Sequence, residues 1–181
     1  MLKKVLSEID IYIDTVHVIK IDRAKIKNDI INSFVSEKRL SKNKKDYSYQ
    51  DFKIPFSKPL QWLNDYLRDH FKADYHRTLI PKKEWGNVYR QNESSCTRHQ
   101  IEPLLLKDSP DYTCLYGVDM SKDSCELVIE YDDNRRKNRT RHIPLKDNQF
   151  IIFPSTQRYF ISQNKSKRMN IFLTLTYNYT S

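Results

Sequence analysis

Glycine is nearly absent from this chain: two residues in 181, against about 7% in ordinary proteins. That shortage excludes a glycine-rich phosphate loop, a dinucleotide-binding fingerprint, a collagen-like repeat and the Gly-x-Ser-x-Gly elbow of many hydrolases. Cysteine is scarce too. Cys96, Cys114 and Cys125 are odd in number and lack Cys-x-x-Cys spacing, so neither a disulfide framework nor a zinc site is expected and the thiols read as small core residues. No apolar run approaches the roughly 18 to 20 residues of a membrane-spanning helix. The N-terminal stretch carries Lys3, Lys4 and Glu8 where a signal peptide has its apolar segment. The expectation is a cytoplasmic chain with no membrane contact.

What is abundant is positive charge. There are 32 basic and 23 acidic side chains, a formal net charge of +9, which suits contact with nucleic acid or another acidic surface. The densest cluster, Arg135, Arg136, Lys137, Arg139 and Arg141, follows Asp132 and Asp133 and reads as a charged turn between strands, with nucleic-acid contact as the alternative. A second run, Lys38, Arg39, Lys42, Lys44 and Lys45, falls in a polar connection. With 38% hydrophobic and 12% aromatic residues, the chain has the apolar material for one core.

Hydrophobic periodicity sets the order of the elements. Ile9, Ile11 and Ile13 alternate with polar residues and Val16, Val18 and Ile19 continue the pattern, predicting one or two strands near the N-terminus. Asp22 reads as a helix N-cap ahead of an amphipathic helix over residues 23 to 36, carried by Ile26, Ile30, Ile31, Phe34 and Val35. A second helix begins near Pro59, a first-turn proline, with Leu60, Leu63, Tyr66, Leu67 and Phe71 as its stripe and Trp62 widening it. From Trp85 onward seven short strands are predicted, over residues 85–90, 112–118, 126–131, 141–145, 149–154, 158–162 and 168–179. Seven strands without an intervening helix point to a sandwich or barrel. The expected class is mainly β with α: residues 1–53 form an N-terminal strand, helix and polar linker, and residues 54–181 a support helix plus a β domain, the two making one structural unit.

Several of these stretches also resemble a family. Trp85-Gly86-Asn87-Val88-Tyr89, His99, Tyr112 to Val118 and Leu127-Val128-Ile129 are similar, in order and spacing, to the prolyl-hydroxylase type of Fe(II)/2-oxoglutarate oxygenases, especially the short branch found in bacteriophages. The ending resembles it most: Ile151-Ile152-Phe153-Pro154-Ser155, then Asn164, then Arg168-Met169-Asn170-Ile171. The resemblance covers roughly residues 54 to 179 and implies a double-stranded β-helix, or jelly roll, that holds Fe(II) at one open end between two histidines and a carboxylate, or three histidines.

Carried onto this chain, the resemblance implies a damaged metal site. The first ligand position falls on His99 and the second, two residues on, on Ile101, which has no lone pair; the third, counted from Phe153, falls on Tyr159. Glu102 as carboxylate, Tyr159 as phenolate, or a one-residue shift of register near His99 would each repair part of it. Arg168 matches the arginine that grips the far carboxylate of 2-oxoglutarate, a task suited to its bidentate fork. Asn170, Asn87, Tyr89 and Tyr112 match positions around the same cavity. His17, His70, His76 and His142 show no ligand spacing.

The leading expectation is an oxygenase-like jelly roll that has lost the usual iron triad and works as a phage-related binding or structural module, in host cytoplasm or virion, with a protein partner and no cofactor. Two alternatives stay open. One is an active hydroxylase using Fe(II) and 2-oxoglutarate at an atypical site; the other is a basic nucleic-acid-binding or virion-assembly protein.

Overall fold

The computed structural model describes residues 9–17, 21–40, 51–101, 106–132 and 139–180; within them the side chains of residues 38–40 are left aside. Glu102, Arg135, Arg136, Lys137, Lys42, Lys44, Lys45, Val18 and Ile19 therefore lie outside the described side chains, as do those of Lys38 and Arg39.

Among the described residues two α-helices and nine strands follow in the order β1 (Tyr12–Thr15), α1 (Arg23–Leu40), β2 (Phe52–Lys53), α2 (Lys58–Tyr75), β3 (Thr78–Tyr89), β4 (Tyr112–Asp119), β5 (Glu126–Tyr131), β6 (Arg139–Pro144), β7 (Gln149–Pro154), β8 (Arg158–Ile161) and β9 (Asn170–Thr180). Asp22 caps α1 as its residue type predicts, its Oδ1 accepting from the Lys25 backbone N at 3.0 Å. The helix runs to Leu40, four residues beyond expectation. Helix α2 carries Pro59 in its first turn and ends where His76 turns left-handed at φ 54, donating its backbone N–H to the Lys72 carbonyl.

Strands β1, β7, β4, β9, β3 and β2 form one sheet in that order, and β6, β5 and β8 a second. Every pairing within them is antiparallel. This is the expected jelly roll. Alternation along each strand then divides the core in two. On one face of the larger sheet, Cys114, Tyr116, Ile152, Leu173 and Tyr177 meet Ile26 and Ile30 of α1 and Leu60, Leu63, Leu67 and Phe71 of α2. The other face sends Tyr89, Leu115, Ile151, Phe153 and Phe172 against Leu127, Ile129, Tyr159 and Ile161 of the smaller sheet. Because the larger sheet is covered on both sides, Tyr112 to Val118 are buried without a break. Full burial of each such large apolar side chain contributes about 1.5–3 kcal/mol.

Strand β3 begins seven residues before its expected start. Pro81 hid the extension: its place in the strand is accommodated by a register shift between Pro81 and Lys83 against β9. The Thr176 hydroxyl repairs the irregularity, accepting from the Lys83 N–H and donating to the Lys83 carbonyl, both at 3.1 Å.

Both glycines sit where a side chain does not fit. A Cβ on Gly86 would lie 2.6 Å from the Ile30 side chain, and one on Gly117 would overlap the Lys146 carbonyl oxygen. Backbone yields less readily than a side chain. Gly117→Ala is therefore expected to lower stability by about 1–3 kcal/mol or more and Gly86→Ala by less, since Ile30 has some freedom to move; denaturant midpoints of the two variants check the order.

Candidate functional site

The short segment after β3 crosses to the smaller sheet and pairs with β8 at an antiparallel bridge, Arg98 opposite Tyr159, with Ser95 bonded to Ile161 beside it. The bridge's two backbone hydrogen bonds are reciprocal, Arg98 N to Tyr159 O and Tyr159 N to Arg98 O, each 2.8 Å. Residues directly opposite in such a pair project to the same face, and neighbours along the chain to the other. Arg98 and Gln100 therefore share a face with Tyr159, which points between the sheets. His99 turns away, exposed, its Nδ1 accepting from the Ile101 N–H at 3.3 Å.

Gln100 donates its amide Nε2–H to Tyr159 Oη at 2.8 Å. The Arg98 guanidinium, about one-fifth exposed, grips Asp51 through Nη1 at 2.9 Å from Oδ1 and 2.8 Å from Oδ2. Asp51 Oδ1 also accepts from Asn87 Nδ2 at 2.6 Å, and Asn87 Oδ1 accepts from the Thr174 hydroxyl at 2.6 Å. A continuous polar chain thus links the residue preceding β2 to β3, β9 and the bridged segment. Beside it Thr113 and Ser155, both fully buried, share a hydrogen bond of 2.8 Å.

Charge states follow from this packing. Burial pushes the Tyr159 phenol up to about 12, against the lowering pull of Arg98 and the Gln100 hydrogen bond, and raises Tyr89 as well. Both stay neutral in ordinary buffers. Burial opposes the Arg98 charge, but Tyr89, Asp51 and Tyr159 together outweigh it and its pKa rises.

The other residues picked out in the sequence spread over the molecule. Arg168 is exposed at the opposite end of the barrel, its Nη2 3.2 Å from Asp119 Oδ1. Asn170 is fully buried, accepting from the Ser121 N–H and donating to Ser124 Oγ and Cys125 Sγ. Tyr89 faces the inter-sheet space, stacked on Phe172 with ring centroids 5.3 Å apart. Tyr112 faces the helices instead, in edge contact with Phe71 and bonded to Arg77. Arg139 and Arg141 begin β6, Arg141 opposite Ile129 and so in one row with Tyr159 and Arg98. None of the three cysteines is bridged.

Two adjoining hollows open beside Gln100. One, of about 210 Å³, is lined by Lys82, Lys83, Trp85, His99, Gln100 and Thr176 among others; its neighbour, of about 430 Å³, shares Lys82, Lys83 and Trp85 and adds Lys53, Ile54, Asp51 and Glu84.

No protein-family model and no curated protein matches the sequence. Solved structures do match in three dimensions. The non-heme alpha-ketoglutarate-dependent carbocyclase SnoK from nogalamycin biosynthesis is similar with a TM-score of 0.66 at 6% identity, over 92% of this chain and 78% of that one. A Pseudomonas putida prolyl-4-hydroxylase gives 0.58 at 9% identity, over 94% and 93%. A 2OG-Fe(II) oxygenase-family oxidoreductase from Burkholderia pseudomallei gives 0.53 at 9% identity over 71% of this chain; the match spans 62% of its length. This chain has the oxygenase jelly roll.

One expectation is corrected by that likeness. The chain was expected to need no cofactor, whereas the proteins sharing its fold are Fe(II)- and 2-oxoglutarate-dependent oxygenases, which points to these cofactors. The residues at the open end can be tested against them. Arg98 is a permanent cation without a lone pair, Gln100 is neutral and Tyr159 keeps its proton, so the three do not fit Fe(II), which prefers imidazole and carboxylate. Among the described residues no group of three or more His, Cys, Asp or Glu gathers into a metal site. The deeper inter-sheet space is filled by Tyr89, Phe153, Tyr159 and Phe172, each at most 3% exposed.

Sequence reasoning found Tyr159 by counting from Phe153 and missed Arg98, Gln100 and Asp51. Strand parity supplied a signal for the first two, since Arg98 and Gln100 straddle His99. Nothing local marks Asp51. Its pairing with Arg98 predicts a coupling that a double-mutant cycle will detect. Asp51→Ala leaves a largely buried guanidinium without its carboxylate and is expected to cost about 1–3 kcal/mol, while the same change in an Arg98→Met background costs clearly less.

Proposed function

We propose that this is an oxygenase-fold protein in which Arg98, Gln100 and Tyr159 have replaced the usual iron triad, and that it serves as a binding module whose working surface is the open end of the barrel. The observation that carries the reading is the Gln100 to Tyr159 hydrogen bond beside the Arg98 to Asp51 pair. These contacts occupy the end at which the resemblance puts the ligands, and they tie its polar side chains to one another. A guanidinium there supplies a positive charge that its own carboxylate already compensates. Fold alone does not carry activity with it, and the side chains at this end are suited to hydrogen bonding and charge recognition.

The rest of the site fits the same role. Gln100, Thr176, Lys83 and His99 surround an opening to solvent, and the bonded network behind them holds the floor in place. Orientation of a ligand by pre-positioned polar groups against an aromatic wall is the common pattern of small-molecule sites.

The test is a conversion. Wild-type protein loaded anaerobically with Fe(II) and desalted is expected to release its iron, and His99→Ala to behave the same way. The triple variant Arg98→His, Gln100→Asp, Tyr159→His is expected to retain close to one equivalent, because it restores donors of the right type on the face that meets β8. Thermal melts of all three proteins establish that each is folded. Stoichiometric iron retained by the wild type, with or without 2-oxoglutarate, overturns the reading.

A further inference from the structure

The two hollows at the open end differ in chemistry although they share a wall. The smaller is mainly polar: Lys82, Lys83 and His99 bring positive or ionisable groups, Gln100 and Thr176 neutral ones, and Asp108 is its one carboxylate. Lys82 Nζ is bonded to the Asp108 backbone carbonyl. The Lys83 ammonium is exposed, and its backbone alone, not its side chain, is engaged with Thr176. The larger hollow offers Ile54 and the Trp85 ring, with Lys53, Lys82 and Lys83 as its cations and Glu84 and Asp51 as its carboxylates. Asp51 is committed to Arg98 and Asn87, and burial raises the Glu84 pKa.

A ligand that satisfies both hollows carries one negative charge, placed in the smaller, and an apolar body, placed in the larger. Trp85 stands between the two, and its indole Nε1 is buried with no hydrogen-bond partner among the described residues.

Building on the reading of the open end as a binding site, we propose that the paired hollows take a small organic monocarboxylate with an aromatic or branched body, its carboxylate held by Lys83 and its body lying along Trp85. The ion pair and the apolar wall both act on the ligand, so neither a neutral analogue of the same shape nor a dicarboxylate without an apolar body substitutes for it.

The chain's two tryptophans make the test direct. Trp62 lies exposed on α2, away from both hollows, and Trp62→Phe leaves Trp85 as the only tryptophan. Phenylacetate titrated into this protein is expected to give a saturable change in Trp85 emission. Adding Lys83→Met, at an exposed side chain, is expected to weaken the midpoint about tenfold, the loss of one charge-assisted contact. Phenylacetamide, uncharged and nearly the same shape, is expected not to saturate in the same range, and succinate to bind more weakly than phenylacetate. No saturable response to phenylacetate, an unchanged midpoint in Lys83→Met, equal binding of phenylacetamide or tighter binding of succinate each overturns the proposal. Iron is absent from this assay, so its failure leaves the replacement of the triad standing.

Discussion

One pair of backbone hydrogen bonds, between Arg98 and Tyr159, sets the chemistry of the open end. The segment that carries Arg98 meets the smaller sheet at this one bridge and at the hydrogen bonds between Ser95 and Ile161 rather than along a ladder, and side chains alternate with a period of two. A slip of one residue would turn Arg98 and Gln100 outward and bring His99 against Tyr159. The observed register does the reverse. It directs a guanidinium and an amide to the face of the tyrosine and leaves the imidazole in solvent, and the polar chain through Asp51, Asn87 and Thr174 locks that choice by satisfying the guanidinium.

The electrostatic logic follows. A cation at a barrel mouth needs a countercharge, and buried polar groups need partners. In a metal-binding jelly roll the ligands meet both demands around the ion. On the proposed reading the cation here belongs to the protein, Asp51 supplies the countercharge, and the neutral groups Gln100 and Tyr159 bond to one another. Behind them, Tyr89 stacked on Phe172 and Phe153 against Tyr159 fill the inter-sheet space with aromatic rings. Free volume at this end lies at the rim, beside Trp85 and Lys83.

Much of the fold was legible in the sequence, because burial on both faces of the larger sheet leaves long apolar runs and β5 of the smaller sheet carries its own, Leu127-Val128-Ile129. Strands β5 and β7 occupy the residues expected of them, and α1 starts behind its Asp22 cap. Strand β3 was read short because a proline inside a strand is an unusual signal, tolerated here by the register shift beside Thr176. The site was less legible. Tyr159 could be counted from Phe153, but attention to histidine drew the reading of the bridged segment to His99 and away from Arg98 and Gln100, which straddle it. Asp51 is 47 residues from Arg98, a contact no local pattern announces. Arg168 was placed by analogy at the start of the last strand, whereas the turn before β9 leaves it outside, beside Asp119.

The account rests on Arg98 and its partners standing where a metal would otherwise be held. The most direct test is anomalous diffraction from crystals grown anaerobically with Mn(II), a substitute for Fe(II) that resists oxidation, and 2-oxoglutarate. The account predicts no manganese peak between Arg98, Gln100 and Tyr159 and an intact ion pair to Asp51. A fully occupied peak at that position, with the guanidinium displaced, would contradict it.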